Sequence, residues 1–167
     1  MSRDEYDDLR NLSKEWLIDR LEHAVKTEQR LPPAIRRGAL GMYDCLQIEQ
    51  EPDDEQIARY SRFIATNKDV RLMDEVFSWQ RHMVGTRRER HKFNQILLFR
   101  SVMGRGGEPL SWRKVAVCLK KKNINISYGT ARTDYHHALM ELYQIVAKVR
   151  DGKLDPQSKA NIIIGEL

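Results

Sequence analysis

Six apolar residues recur in the last third of the chain at helical spacing. Ala131, Tyr135, Ala138, Leu142, Ile145 and Val149 stand 4, 3, 4, 3 and 4 residues apart. That rhythm keeps one stripe facing a single neighbour, as a helix of about 3.6 residues per turn requires. A long helix with one apolar stripe cannot stand alone in water; it must bury that stripe against other elements. The remaining segments also read as helices, and strand-like alternation is scarce. The expected fold class is therefore all-α, with a helical N-terminal region packed against a C-terminal helix-turn-helix.

Upstream, Ser13 is placed to cap a helix to about Glu28, with Trp16, Leu17, Leu21, Ala24 and Val25 on one face. Leu31-Pro32-Pro33 ends it, since proline lacks a donor and disfavours helix just before it. Residues 34–50 give a mixed signal, helical in Ile35, Leu40, Met42, Leu46 and Ile48 but weakened by Gly38 and Gly41. Glu51-Pro52-Asp53-Asp54 marks a stop and a new start, leading into a short helix through Ala65. A stronger helix is expected over about 70–84, its inner face formed by Leu72, Met73, Val76, Phe77, Gln80, Met83 and Val84. Another is expected over about 88–103, burying Phe93, Ile96, Leu97 and Val102. Gly104 to Pro109 reads as a turn. Ser111 then caps a short helix to about Lys120, with Val115, Ala116 and Leu119 inward. A polar connection runs from Lys121 to Ile126, and Ser127 caps the long last helix.

Charge divides the same chain unevenly. Residues 1–86 carry 13 basic and 17 acidic side chains, whereas residues 87–150 carry 14 and 4. The whole positive excess of a chain of net charge +5 thus lies in one block. Concentrated positive charge is the footprint of a polyanion-binding surface, because each neutralised phosphate releases counterions. Three regions follow: an acidic support or oligomerisation region (1–86), a basic helix-turn-helix region (87–150) and a tail (151–167).

In a helix-turn-helix the second helix enters the DNA major groove and its N-terminal residues meet base edges. Tyr128, Thr130, Arg132, Thr133 and His136 lie off the buried stripe, near that helix's start. Arg132 can bond guanine bidentately, and Thr130 or Thr133 can meet a thymine methyl or a phosphate. Ser127 and the backbone N–H groups beside it form an anion-binding end. Arg113, Lys114, Lys120, Lys121 and Lys122 suit backbone phosphates, and Arg87, Arg88, Arg90 and Lys92 could clamp an adjacent phosphate run.

Order and spacing of several motifs carry a resemblance. Trp16 with Arg20-Leu21-Glu22-His23-Ala24 and Leu31-Pro32-Pro33 comes first. Leu72-Met73-Asp74-Glu75-Val76-Phe77-Ser78-Trp79 follows. Ser111-Trp112-Arg113-Lys114-Val115-Ala116 and Ser127-Tyr128-Gly129-Thr130-Ala131-Arg132 come last. Over about residues 13–147 the chain resembles an uncharacterised helix-turn-helix family of phages and prophages. Its C-terminal part is similar to the last DNA-binding region of sigma factors. The resemblance implies an all-helical, phage-associated DNA-binding protein and carries no established activity. One departure is the connection after the motif's first helix, which is several residues longer than the usual tight turn.

The function expected from these readings is sequence-specific binding of double-stranded DNA by a phage or prophage transcriptional regulator. Alternatives are the small subunit of a packaging terminase, meeting a large subunit, and an adaptor that binds a protein such as RNA polymerase. A homodimer or higher oligomer fits the first two. Trp16, Phe77 and Trp79 on apolar faces are candidates for support and self-association. No enzyme, metal or cofactor is expected. His136 and His137 are adjacent and point in different directions, Cys45 and Cys118 lack a second thiol in motif spacing, and Gly104-Arg105-Gly106-Gly107 lacks the strand and lysine of a phosphate loop. Met1 to Arg10 are acidic and polar, and no apolar run approaches the roughly 20 residues of a membrane span. A bacterial host cytoplasm is the expected location, without membrane attachment.

Overall fold

The computed structural model describes residues 9–31, 65–104 and 106–158. They hold five α-helices: α1 (Lys14–Arg30), α2 (Asn67–Gln80), α3 (Arg87–Arg100), α4 (Trp112–Lys121) and α5 (Tyr128–Arg150). A 3-10 turn, Leu9–Asn11, precedes α1. Among the described residues there is no strand; an isolated antiparallel bridge from Met103 to Pro109 closes the Gly/Pro turn. The protein is all-α. The expectations for Pro32-Pro33, residues 34–50, Cys45, the helix ahead of Ala65 and the last nine residues of the tail fall outside the described residues.

Local chemistry explains where each helix starts. Ser13 Oγ accepts from Trp16 N at 3.1 Å and opens α1. A capping box opens α2 three residues before the expected start. Thr66 Oγ1 accepts from Asp69 N at 3.2 Å, while the Asp69 carboxylate accepts from Thr66 N at 2.8 Å. The Thr66-x-x-Asp69 spacing satisfies two orphan donors reciprocally. Burial pushes the Asp69 carboxyl up, but the Thr66 amide and hydroxyl and the His23 ring outweigh it and hold the group below its ordinary value. A second box, Thr86 with Glu89, opens α3.

Two helix ends fall short of expectation. α2 stops at Gln80 rather than at Val84, and Val84 lies 63% exposed on the link to α3 instead of on a buried face. The link turns at Gly85, whose φ of +113° disfavours any side chain. A Cβ there would also stand 2.8 Å from Glu89 Oε2 of the second capping box. α3 stops at Arg100 rather than Met103, where Ser101 Oγ donates to Leu97 O at 2.7 Å and the chain leaves toward the bridge.

One continuous apolar cluster joins all five helices, from Leu12 to Val146. α1 packs most extensively on α2, while α3 and α4 both pack on α5. At the α1–α2 seam Trp16 and Trp79 meet with ring centroids 6.2 Å apart. The Arg20 guanidinium lies over both rings, 5.5 and 5.3 Å from their centroids, and donates to Glu75 Oε2 at 2.8 Å. Arg20 is 1% exposed, so its cation is compensated by two indole faces and one carboxylate in a largely dry setting. Trp16 and Trp79 are buried in this seam, and Phe77 is largely buried at the edge of a cleft between α2 and α3.

Candidate nucleic-acid interface

The surface of interest is built by α4, the connection after it, and the first half of α5. Ser111 Oγ accepts from Lys114 N at 3.3 Å and starts α4. Val115, Cys118 and Leu119 turn inward, while Ala116 is only half-buried. α4 ends in a Schellman motif. Asn123 takes φ +61°, its N–H donates to Lys120 O at 3.0 Å, and Ile124 N donates to Leu119 O at 2.9 Å. Asn tolerates this left-handed position better than most side chains. Beyond it Ile124 and Ile126 pack on the core while Asn123 and Asn125 stay exposed. The longer connection is thus a capped helix end plus a short stretch pinned by two isoleucines.

Ser127 then caps α5. Its Oγ accepts from Thr130 N at 3.1 Å and its hydroxyl donates to Thr130 Oγ1 at 3.0 Å. The Thr133 hydroxyl donates back to Gly129 O at 3.2 Å. Trp112 and Tyr135 hold the two helices together edge to face, with centroids 5.3 Å apart. Arg100 of α3 stacks on the same indole at 4.5 Å and donates to Leu110 O. Trp112 is therefore a packing residue at the meeting point of α3, α4 and α5. Burial pushes the Tyr135 phenol up, partly opposed by the Arg100 guanidinium.

The exposed positions on the first half of α5 are Tyr128, Gly129, Thr130, Arg132, Thr133, His136, His137 and Met140. None is acidic. The two acids of α5 are turned away and engaged. Asp134 Oδ2 lies 3.0 Å from Lys92 Nζ of α3, and Glu141 Oε1 accepts from Val84 N on the α2–α3 link. From Pro109 to Thr133 there is no acid at all, against six cations. The charge on the outward face of α4 and early α5 is therefore all positive, set among hydrogen-bonding groups and the exposed apolar side chains Val117 and Met140.

The residues singled out by sequence are arranged around this face. Arg113, Lys114, Lys120 and Lys121 are exposed on α4, and the Arg113 guanidinium lies 5.8 Å over the Tyr128 ring. Lys122 is half-buried at the C-cap of α4. Arg87 and Arg88 are exposed at the start of α3, and Arg90 is half-buried. Lys92 is half-buried, bound to Asp134 and stacked on Phe93 at 4.9 Å, so its charge neutralises the protein's own carboxylate. His136 is exposed, yet its ring titrates below the ordinary histidine value through partial desolvation and then the nearby cations Lys14, Arg132 and Arg100.

Two members of the site are invisible to segment-by-segment reading. Arg100 sits at the end of a helix expected to run on, and its part in positioning Trp112 depends on a tertiary contact. Lys14 belongs to the acidic region, yet its charge is among those that lower the His136 proton affinity, and Leu9–Asn11 and α1 both pack on α5. The Thr86-x-x-Glu89 spacing was a readable signal for the start of α3.

Other features lie elsewhere. Two open clefts of about 670 and 510 Å³ run along α2, with Gln157 at the edge of both. Among the described residues no group of three His, Cys, Asp or Glu side chains is disposed to hold a metal ion, and no helix is long and apolar enough to cross a membrane. The chain matches no family model, no curated protein and no solved structure with which it was compared.

Proposed function

We propose that this chain binds double-stranded DNA sequence-specifically, with the first half of α5 in the major groove, as a transcriptional regulator of a phage or prophage. The carrying observation is the sign of the exposed face. Both α5 acids are engaged with α3 and the α2–α3 link, and every charged group left on the outward face of α4 and early α5 is a cation. A helix of about 10–12 Å diameter matches a groove about 12 Å wide. Arg132 reads a guanine edge; Thr133 and His136, on the same outward stripe, meet neighbouring base edges or phosphates. Lys120 and Lys121 contact backbone phosphates and add affinity without sequence information.

Selection from a random duplex library, with titration at two salt concentrations, tests this. An enriched motif whose affinity falls steeply with salt supports a specific reader, and a palindromic motif adds a dimer. Salt-sensitive binding without enrichment points instead to a packaging role beside a terminase large subunit. No binding at low salt rejects the reading and leaves the face for a protein such as RNA polymerase.

A further inference from the structure

α4 begins with two neighbouring residues that each meet a tyrosine of α5. Trp112 meets Tyr135 edge to face at 5.3 Å, and the Arg113 guanidinium lies 5.8 Å over the Tyr128 ring. The two tyrosines are seven residues apart, so they share one side of α5 at points about 10 Å apart along its axis. Their settings differ. Tyr135 is 7% exposed, and its pair with Trp112 packs the helices together. Tyr128 is 54% exposed, and Arg113 is exposed as well. The outer pair therefore adds little to the core.

Its effect is to order a cation. A solvated arginine samples many rotamers, and gripping an anion costs the entropy of selecting one. A ring face attracts the guanidinium through its charge and leaves its in-plane N–H donors unused. Among the described residues no carboxylate pairs with Arg113, so those donors are open to an outside anion. Lys114, Lys120 and Lys121 are exposed on the same helix, and among the described residues no ring holds them. We propose that Tyr128 is the positioning residue of an arginine clamp: its ring holds Arg113 beside the start of α5, where the planar guanidinium grips a DNA phosphate through two N–H donors. The proposal rests on the reading of α5 as the groove helix, since backbone phosphates flank the groove that such a helix enters. It turns Tyr128 from a candidate for base edges into a residue that acts through Arg113.

The test uses the full chain and a labelled duplex carrying the sequence enriched by selection, or a mixed-sequence duplex if none is enriched. Arg113→Ala is expected to reduce the slope of log affinity against log salt by about 0.9, the value for one lost phosphate contact. Tyr128→Ala should weaken binding about two- to five-fold at low salt, the equivalent of one exposed cation–ring contact, and leave base preference unchanged. Tyr128→Phe, which keeps the ring, should restore most of that loss. The double variant should bind as Arg113→Ala alone does, because the ring then has no cation to hold. A Tyr128→Ala loss that persists at full size in the Arg113→Ala background shows a role separate from the arginine and overturns the clamp. So does a Tyr128→Phe variant as weak as Tyr128→Ala, which places the phenol itself on DNA, and so does an unweakened Tyr128→Ala. In each of these cases Arg132→Ala still weakening binding leaves the groove reading standing. Failure of the unmodified chain to bind duplex at low salt overturns both.

Discussion

The α1–α2 pair and the α4–α5 pair use charge in opposite directions. In the first, Arg20 is buried between Trp16 and Trp79 and closed by Glu75, and His23 Nε2 lies 2.9 Å from Asp69 Oδ1. These contacts hold the protein's own seam together. In the second, Arg113, Lys114, Lys120, Lys121 and Arg132 point to solvent. Direction matters more than count. A cation at the α1–α2 seam contributes to stability, whereas an exposed cation on α4 adds little stability and is free for an external anion.

The sharpest way to break that contrast is Trp79→Ala. The ring is fully buried and packs against both Trp16 and Arg20, so its loss should cost about 3–5 kcal/mol in denaturant unfolding. DNA affinity, measured where the variant remains folded, should stay near the original. Arg132→Ala should do the reverse, weakening specific binding by about 1–3 kcal/mol and relaxing one base position while leaving the melting temperature in place. Unchanged specificity in a repeated selection would remove that residue from the interface. Ser127→Ala touches both sides of the comparison. It deletes the α5 cap, which is worth about 1 kcal/mol of stability, and loosens the helix start proposed to face the groove.

Acid should act on the α1–α2 seam first. Burial, opposed by the Asp69 contact, leaves His23 below its ordinary value of about 6.5, so the native state binds fewer protons there than the unfolded chain. Stability should fall as pH drops through that ordinary value toward the lowered one, and His23→Gln should flatten this part of the profile. Asp69, held low in the native state, adds stability above its unfolded value that is lost on further acidification through its lowered native value. The smallest effect is expected for Lys121→Ala: a several-fold, sequence-independent weakening, with the salt slope reduced by about 0.9. A change in base preference in that variant would mean that α4 reads sequence.

Much of this contrast is legible in the sequence. The caps at Ser13, Ser111 and Ser127 are short-range chemistry, and each opens the helix expected of it. The stripe from Ala131 to Ile145 is buried as its spacing requires, with Val149 half-buried near the helix end. The expected span of α2 was displaced at both ends for physical reasons. The polar box of Thr66 and Asp69 starts it ahead of the first apolar residue, and Val84 is apolar yet sits on a link whose amide is bound to Glu141. Within the candidate site, the basic positions on α4 are local facts of helix period. The partner of Lys92 is not, because it depends on which helix packs on which flank of α5. Nothing in the spacing of Lys92 and Asp134, 42 residues apart, announces their ion pair.

That ion pair bears on how portable the unit proposed to face DNA is. A transplant of residues 111–150 onto another scaffold would carry Ser111, both helices and every candidate base contact. It would also carry two carboxylates, Asp134 and Glu141, without the lysine and the backbone amide that engage them here. The borrowed surface would acquire negative charges along one edge and lose the single sign on which the proposed DNA binding rests. The smallest graft that preserves the surface therefore begins at Val84 and includes all of α3. Protein engineers would need to move three helices to keep the chemistry of two.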